Sequence, residues 1–226
     1  MLSVHDWTSI ADLQLSAGRG ADFSDFCGLD NSIRGLPFQD RNYNLQDETA
    51  ISKHFYDTIN PDDIEAVYVV ADTQDTFSPF GVAALTKTNN VYILEMGRLR
   101  YLWLEEDERK VINAENKRNG KPPETTLLDK LDQAYFGIKP LCLFVDMRGH
   151  RTEEVKNFAK IRKNILMYGG TNLKYDKWKI SDNNKKLFLC DARKFQSELI
   201  YLLYYQQYKD KNYLYLPKTL TKEDIE

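Results

Sequence analysis

Between Ile64 and Leu85 the chain reads IEAVYVVADTQDTFSPFGVAAL, two apolar runs joined by a short polar link. The first, Ala66 to Ala71, is rich in β-branched residues and ends in a carboxylate, Asp72; the second is Phe80 to Leu85. A third run, Val91 to Met96, follows the turn pair Asn89-Asn90. Short apolar runs bounded by turn residues read as strands, and runs this close in sequence pair antiparallel. The pattern therefore predicts a three-stranded meander with Asp72 at the C-terminal end of its first strand.

Upstream, the segment through Gly20 has mixed polarity and reads as a loosely ordered arm, and Ala21 to Arg41 as a turn-rich loop carrying Phe23 and Phe26. Asp47 to Asn60 has helical composition and stops at Asn60-Pro61. Downstream, Tyr101 to Asn119 is dense in Glu, Lys and Arg and predicts a solvent-facing helix closed by Asn119-Gly120 and Pro122-Pro123. Leu127, Leu128, Leu131, Ala134 and Tyr135 recur at near-helical spacing and predict a second helix over Thr125 to Phe136.

Leu141 to Val145 predicts the next buried strand, which again ends in a carboxylate, Asp146. A glycine turn follows, and then a helix with Thr152 as its N-cap. Ile165 to Tyr168 reads as a strand, Gly169 to Asn184 as a polar excursion carrying Trp178, and Leu187 to Cys190 as a strand ending at Asp191. A helix over Ala192 to Tyr208 has Phe195, Leu199, Leu202 and Leu203 on one face, and Tyr213 to Leu216 is a last strand before Pro217.

This order of elements suits an α/β fold, a mixed sheet with helices on both faces, and has the outline of the ribonuclease H-like fold. In such an outline the first strand lies beside a later one, which would bring Asp72 and Asp146 together. Two adjacent carboxylates stay ionised at low cost only beside a cation, and oxygen ligands select Mg²⁺ or Mn²⁺. Two ions about 4 Å apart would activate water and stabilise the leaving oxygen of a phosphodiester. The competing reading of Asp72, Asp146 and Asp191 is structural, since an Asp at a strand end also forms turns and caps helices. Asp75 reads as a turn residue or a further ligand, Glu95 as facing the site or solvent, and His150 as a positioning group or a structural one.

Length changes this picture little: 226 residues with 42% hydrophobic content bury one main core, read as an arm and helical lead-in over 1–60 and a nuclease-like domain over 61–226. Cys27, Cys142 and Cys190 form no CxxC pair, so neither a disulfide framework nor a zinc site is suggested and a reducing, intracellular setting is expected. No apolar run approaches the roughly 20 residues of a membrane span, so a soluble protein without membrane contact is expected. The net charge is only −3, but it is unevenly placed. Residues 1–75 hold fourteen Asp and Glu against four Lys and Arg, whereas Lys156 to Lys194 holds eleven Lys and Arg against three Asp. The basic span is either a solvated face or a surface that meets phosphate.

Five blocks, NSIRGLPF (Asn31 to Phe38), VVADTQD (Val69 to Asp75), FVDMRGHRTEEV (Phe144 to Val155), LFLCDARK (Leu187 to Lys194) and YLYLPKTLTKED (Tyr213 to Asp224), resemble in the same order the nuclease half of bacteriophage terminase large subunits of the lambda-like GpA type. The resemblance implies a metal-dependent DNA endonuclease that cuts concatemeric viral DNA during genome packaging in the host cytoplasm. It also implies two Mg²⁺ or Mn²⁺ ions, double-stranded DNA as substrate, and the terminase small subunit and portal as partners. On matching positions Asp72 and Asp146 are the first two metal-binding and catalytic acids. Asp191 and Lys194 fall on a D-x-x-K block, Asp191 as a further metal-ligand candidate and Lys194, with Arg148 and Arg151, as candidates for DNA contact.

The chain also departs from that pattern. It has no GxxxxGK[ST] phosphate loop, so the ATPase half that drives translocation is absent from it. Thr76 to Phe80 carries less charge after the D-x-Q than the family usually has, and reads more like the strand turn of other terminase classes. The family carries a further acid-bearing block past the position of Glu226, which leaves Asp191 or that acid as the expected third ligand and the C-terminal end of the domain expected to be cut short. Two other readings stand beside the nuclease: a catalytically silent ribonuclease H-like module that binds DNA or a packaging partner, and a resolvase or transposase of the same fold.

Overall fold

The computed structural model describes residues 52–148, 151–173, 176–200, 202–203 and 213–219. The N-terminal arm, the loop with Phe23 and Phe26, the NSIRGLPF block, Cys27 and His150 lie outside them. The described strands are β1 (Phe55–Tyr56), β2 (Ile64–Ala71), β3 (Ser78–Thr86), β4 (Val91–Leu99), β5 (Cys142–Asp146), β6 (Ile165–Gly170), β7 (Trp178–Ile180), β8 (Leu187–Cys190) and β9 (Leu214–Pro217). The described helices are α1 (Glu106–Arg118), α2 (Leu127–Asp132), α3 (Thr152–Ile161) and α4 (Ala192–Ile200).

Alternation along the central strands sets the core. On β3, Ser78, Phe80, Val82, Ala84 and Thr86 are buried and the residues between them are not. On β2, Val67, Val69 and Ala71 are buried while Val70 is 42% exposed. Period-two burial of this kind is what a strand covered mainly on one face produces. The cover comes from α2, through Leu127 and Leu131, and from α3, through Val155, Phe158 and Ala159, which meet Val67, Val69, Leu143, Val145 and Ile165 in one cluster. On the other face Leu202 and Leu203 pack with Leu214, Leu216, Val91 and Ile93.

The sheet order is β1-β9-β4-β3-β2-β5-β6-β8-β7. The meander β2–β3–β4 is antiparallel, as its turn residues predict, and Asn89 takes a left-handed φ of 62° in the second turn. After α1 and α2 the chain returns as β5, parallel to β2, followed by β6 and β8 in parallel. A meander whose first strand then pairs with a parallel strand from a helical crossover is the ribonuclease H-like arrangement, so the fold expected from the element order is the one observed. Among the described residues no helix is long and apolar enough to cross a membrane.

Several local readings change. Phe55–Tyr56 is a strand beside β9 rather than part of a helix reaching Asn60, and the buried His54 ring next to it lies 2.7 Å from the Leu214 carbonyl. The helix expected over Thr125 to Phe136 ends at Asp132, where Gln133 turns to extended backbone; Phe136 and Gly137 then take positive φ in a tight turn closed by Tyr135 and Ile138. Thr152 is the first helical residue of α3 and not its cap; its hydroxyl donates to the Met147 carbonyl instead. The polar excursion contains an edge strand, β7. On α4, Phe195 and Leu199 are 41% and 48% exposed, so of the expected apolar face only Leu202 and Leu203, beyond the helix, pack into a core.

One strand glycine has a steric reason. A Cβ at Gly97 would lie 2.9 Å from the ring of Phe80, its buried cross-strand partner. Gly97→Ala is therefore expected to cost about 1–3 kcal/mol through overpacking, seen as a lower urea midpoint at unchanged m. A midpoint equal to the parent's would show that Phe80 yields freely.

Candidate active site

The meander and the crossover place two acids side by side. Ala71 is opposite Val145 in the β2–β5 register, so Asp72 and Asp146 leave adjacent parallel strands at the same level. Both backbones are fixed there. Asp72 N–H donates to the Pro79 carbonyl at 3.0 Å, extending the β2–β3 ladder, and Met147 N–H donates to the Tyr168 carbonyl at 2.8 Å, extending β5–β6. The buried Thr73 hydroxyl donates to the Asp146 carbonyl at 3.2 Å and ties the two strand ends together.

The carboxylates are held as well. Asp72 Oδ1 accepts from Thr73 N–H at 2.9 Å, and its Oδ2 accepts from the Gln74 side-chain amide at 2.6 Å. Asp146 Oδ1 accepts from Arg148 N–H at 3.1 Å. Burial pushes the Asp146 pKa above the ordinary carboxylate value; the Arg148 N–H opposes this, and the neighbouring Asp72 adds to it through charge and hydrogen bonding. Tyr168, opposite Asp146 on β6, donates its hydroxyl to the Ala71 carbonyl at 3.3 Å. Its pKa is raised by burial first and then by the charges of Asp146 and Asp72.

The remaining candidates are dispersed. Asp191 is 4% exposed, and its carboxylate accepts the backbone N–H groups of Leu173 (3.1 Å), Arg193 (3.2 Å) and Lys194 (3.5 Å). Those bonds, Leu173 foremost, hold its pKa below the ordinary value. That is the position of a helix cap at the start of α4 and a clamp on the loop after β6. Lys194 Nζ donates to the carbonyls of Leu173 (3.0 Å) and Asp176 (3.4 Å). Arg151 forms a two-pronged pair with Glu154 and reaches Ser78 Oγ and the Arg100 carbonyl. Glu95 faces α2, accepting from Lys130 Nζ at 2.6 Å and the Tyr135 hydroxyl at 3.0 Å. Asp75 is exposed in the loop after β2.

Arg148 stays at the acid pair, its side chain lying across Gly169, where a Cβ would come within 3.2 Å of its Cγ and Nε. Much of the basic span is otherwise committed. Lys156 pairs with Glu153, Arg162 with Asp132 and Lys177 with Glu198, while Lys186 donates to the carbonyls of Ala159 and Arg162.

Among the described residues no cluster of three or more His, Cys, Asp or Glu side chains is arranged to hold a metal ion. The acid pair nevertheless suits a hard divalent cation. It offers oxygen donors, its two carboxylates repel, and Mg²⁺ commonly uses one or two carboxylates with water and substrate phosphate filling the other positions. Thr73, Gln74 and Tyr168 adjoin the pair; Gln74 entered the sequence reading only as the Q of the D-x-Q, and Thr73 and Tyr168 not as site residues. The i, i+2 spacing of Asp72 and Gln74 in a turn was the available signal. A family model described as terminase large subunit gpA, endonuclease domain, matches residues 2–223 of the chain. No curated protein and no solved structure matches it significantly.

Proposed function

Because the chain belongs to the family of terminase large subunit gpA endonuclease domains, we propose that it cuts viral DNA during genome packaging by metal-dependent hydrolysis at Asp72 and Asp146. The observation that carries the proposal is the pair of acids leaving adjacent parallel strands, with the proton affinity of Asp146 raised by burial and by Asp72. Mg²⁺ or Mn²⁺, two ions in the full arrangement, would supply Lewis acidity and a nucleophilic water at neutral pH. Asp72 and Asp146 would hold them.

The chain's own residues set the geometry. Thr73 N–H and the Gln74 amide fix both oxygens of Asp72, Arg148 N–H fixes one oxygen of Asp146, and the Tyr168 hydroxyl bonds the Ala71 carbonyl just before Asp72. The substrate is double-stranded DNA, whose phosphate Arg148 is placed to meet; Arg151 and Lys194 serve mainly to shape the ground around it. Asp191 joins the ligand set only by giving up its backbone hydrogen bonds, so its part in this reading is structural. The terminase small subunit and the portal are the partners this reading implies, in the cytoplasm of the host.

Incubation with supercoiled plasmid tests the proposal. Nicking that requires Mg²⁺ or Mn²⁺ supports it, whereas a folded chain that binds DNA and never cuts it supports the silent binding module. Gln74→Ala supplies a finer check. Loss of the hydrogen bond orienting Asp72 Oδ2 is expected to raise the half-maximal metal concentration about 10–100-fold. An unchanged metal requirement would remove Gln74 from the site.

A further inference from the structure

Beside the acid pair, on the side of β6, the surface opens into a cleft of about 460 Å³ lined by Arg148, Gly170, Thr171, Asn172, Asp191 and Arg193. It is roughly fifteen times a water molecule's share of liquid volume, more room than a lone inorganic anion needs. Its two cations come from separate elements. Arg148 follows β5, and the absence of a Cβ at Gly169 lets its side chain lie flat across the end of β6. Arg193 sits in the first turn of α4, with Nη2 donating to Asn172 Oδ1 at 2.9 Å.

Residues 171–173, just after β6, are tied down by hydrogen bonds. Thr171 N–H donates to the Cys190 carbonyl at 2.8 Å, and the Asp191 carboxylate, which also lines the cleft, takes the N–H groups of Leu173, Arg193 and Lys194. Arg148 and Arg193 both line the opening, together with the hydroxyl-bearing Thr171 and the amide-bearing Asn172. This is the donor set of phosphodiester recognition, in which Arg contacts and polar side chains fix a backbone without reading its sequence.

The cleft also adjoins the chemistry. Arg148 links the two directly, since its N–H bonds Asp146 while its side chain lines the opening. We propose that this cleft is a DNA-backbone subsite, seating a phosphate neighbouring the one that is cut and gripped by Arg148 and Arg193. The assignment rests on the nuclease reading for which phosphate is neighbouring, but not for the grip itself. It puts Arg193, which lines the cleft while bonded to Asn172, in the place of Arg151 and Lys194, which do not line it.

The test uses the full 226-residue chain, a fluorescent 20-base-pair duplex and a salt titration with EDTA present, followed by steady-state nicking in Mn²⁺. Arg148→Gln and Arg193→Gln are each expected to weaken binding about five- to tenfold and to reduce the slope of log K against log salt by about 0.9, one phosphate each. In nicking, KM rises while kcat stays within about threefold. Arg193→Lys keeps the slope, and Lys110→Gln, the same loss of charge on the exposed face of α1, changes nothing.

Parental slopes in both Gln variants overturn the subsite. Arg148 is exposed, so its variant decides the matter even if Arg193→Gln fails to fold. Metal-dependent nicking with unchanged slopes would remove the cleft and leave the nuclease standing. Reduced slopes in a chain that never nicks would do the reverse, and a chain with no affinity for DNA at low salt would remove both.

Discussion

Asp72→Asn and Asp146→Asn are each expected to lower metal-dependent plasmid nicking at least about a hundredfold while leaving the fold intact. The reasoning starts from charge. A divalent ion at a transferring phosphate contributes several kcal/mol of transition-state stabilisation, and each 1.36 kcal/mol is about tenfold in rate. An amide in place of either carboxylate removes half of the anionic charge that would hold the ion. The backbone bonds survive the change, because the Asn carbonyl oxygen still accepts from Thr73 N–H at position 72 and from Arg148 N–H at position 146, and the Gln74 amide meets the new NH2 group at position 72 by turning its own oxygen toward it.

Stability should move in the opposite direction for Asp146→Asn. The pKa of Asp146 is raised in the folded chain, by burial above all and by Asp72 in addition. A raised acid favours the folded state below its unfolded pKa, and that advantage is lost as pH rises through the folded value. At neutral pH without divalent ions the ionised Asp146 therefore costs stability, and Asn relieves the cost. Asp146→Asn is expected to melt above the parent at pH 7 and level with it near pH 4. Lower stability at pH 7 in metal-free buffer would show that the pair is not in electrostatic conflict, and the metal reading would lose its physical basis.

The parts legible in the sequence were those governed by local pattern. Ala66 to Ala71 and Leu141 to Val145 announce strands by composition alone, and each runs into an acid that the structure finds at or just beyond the strand end. That the two ends are neighbours is a matter of topology, and the order of strands and helices carried it. What the sequence did not reveal depends on register and on tertiary partners. Tyr168 faces the acids only because β6 pairs with β5 so that it lies opposite Asp146. Asp191 looked like a third strand-end acid, yet Leu173 in the loop after β6 and Arg193 and Lys194 in the first turn of α4 give it their N–H groups. The basic span showed the same limit. Charge density was visible, but whether a lysine meets a glutamate, a carbonyl or solvent was not. Phe195 and Leu199 failed as core markers for a related reason: a helical stripe shows which residues share a face, not whether that face meets the sheet.

Phe158→Ala is expected to cost about 3–5 kcal/mol, the range for emptying a fully buried aromatic site. Its ring is 0% exposed and stacks nearly parallel on Trp103, with centroids 5.3 Å apart. Together with Val155 and Ala159 it forms the i, i+3, i+4 stripe by which α3, the crossover from β5 to β6, grips the sheet. Against a typical total of about 5–15 kcal/mol this is a large fraction of stability. Urea unfolding checks it. Val111→Ala, at a position 68% exposed on α1, should stay within about 0.5 kcal/mol of the parent, and a Phe158→Ala loss no larger than that would mean α3 is not clamped to the sheet. The same variant joins stability to the site. An ion that binds only the folded chain adds about 2.7 kcal/mol at a hundred times its Kd, so saturating Mg²⁺ should recover much of the loss in Phe158→Ala and none of it when Asp146→Asn is combined with it. Recovery in both would place the ion somewhere other than the acid pair.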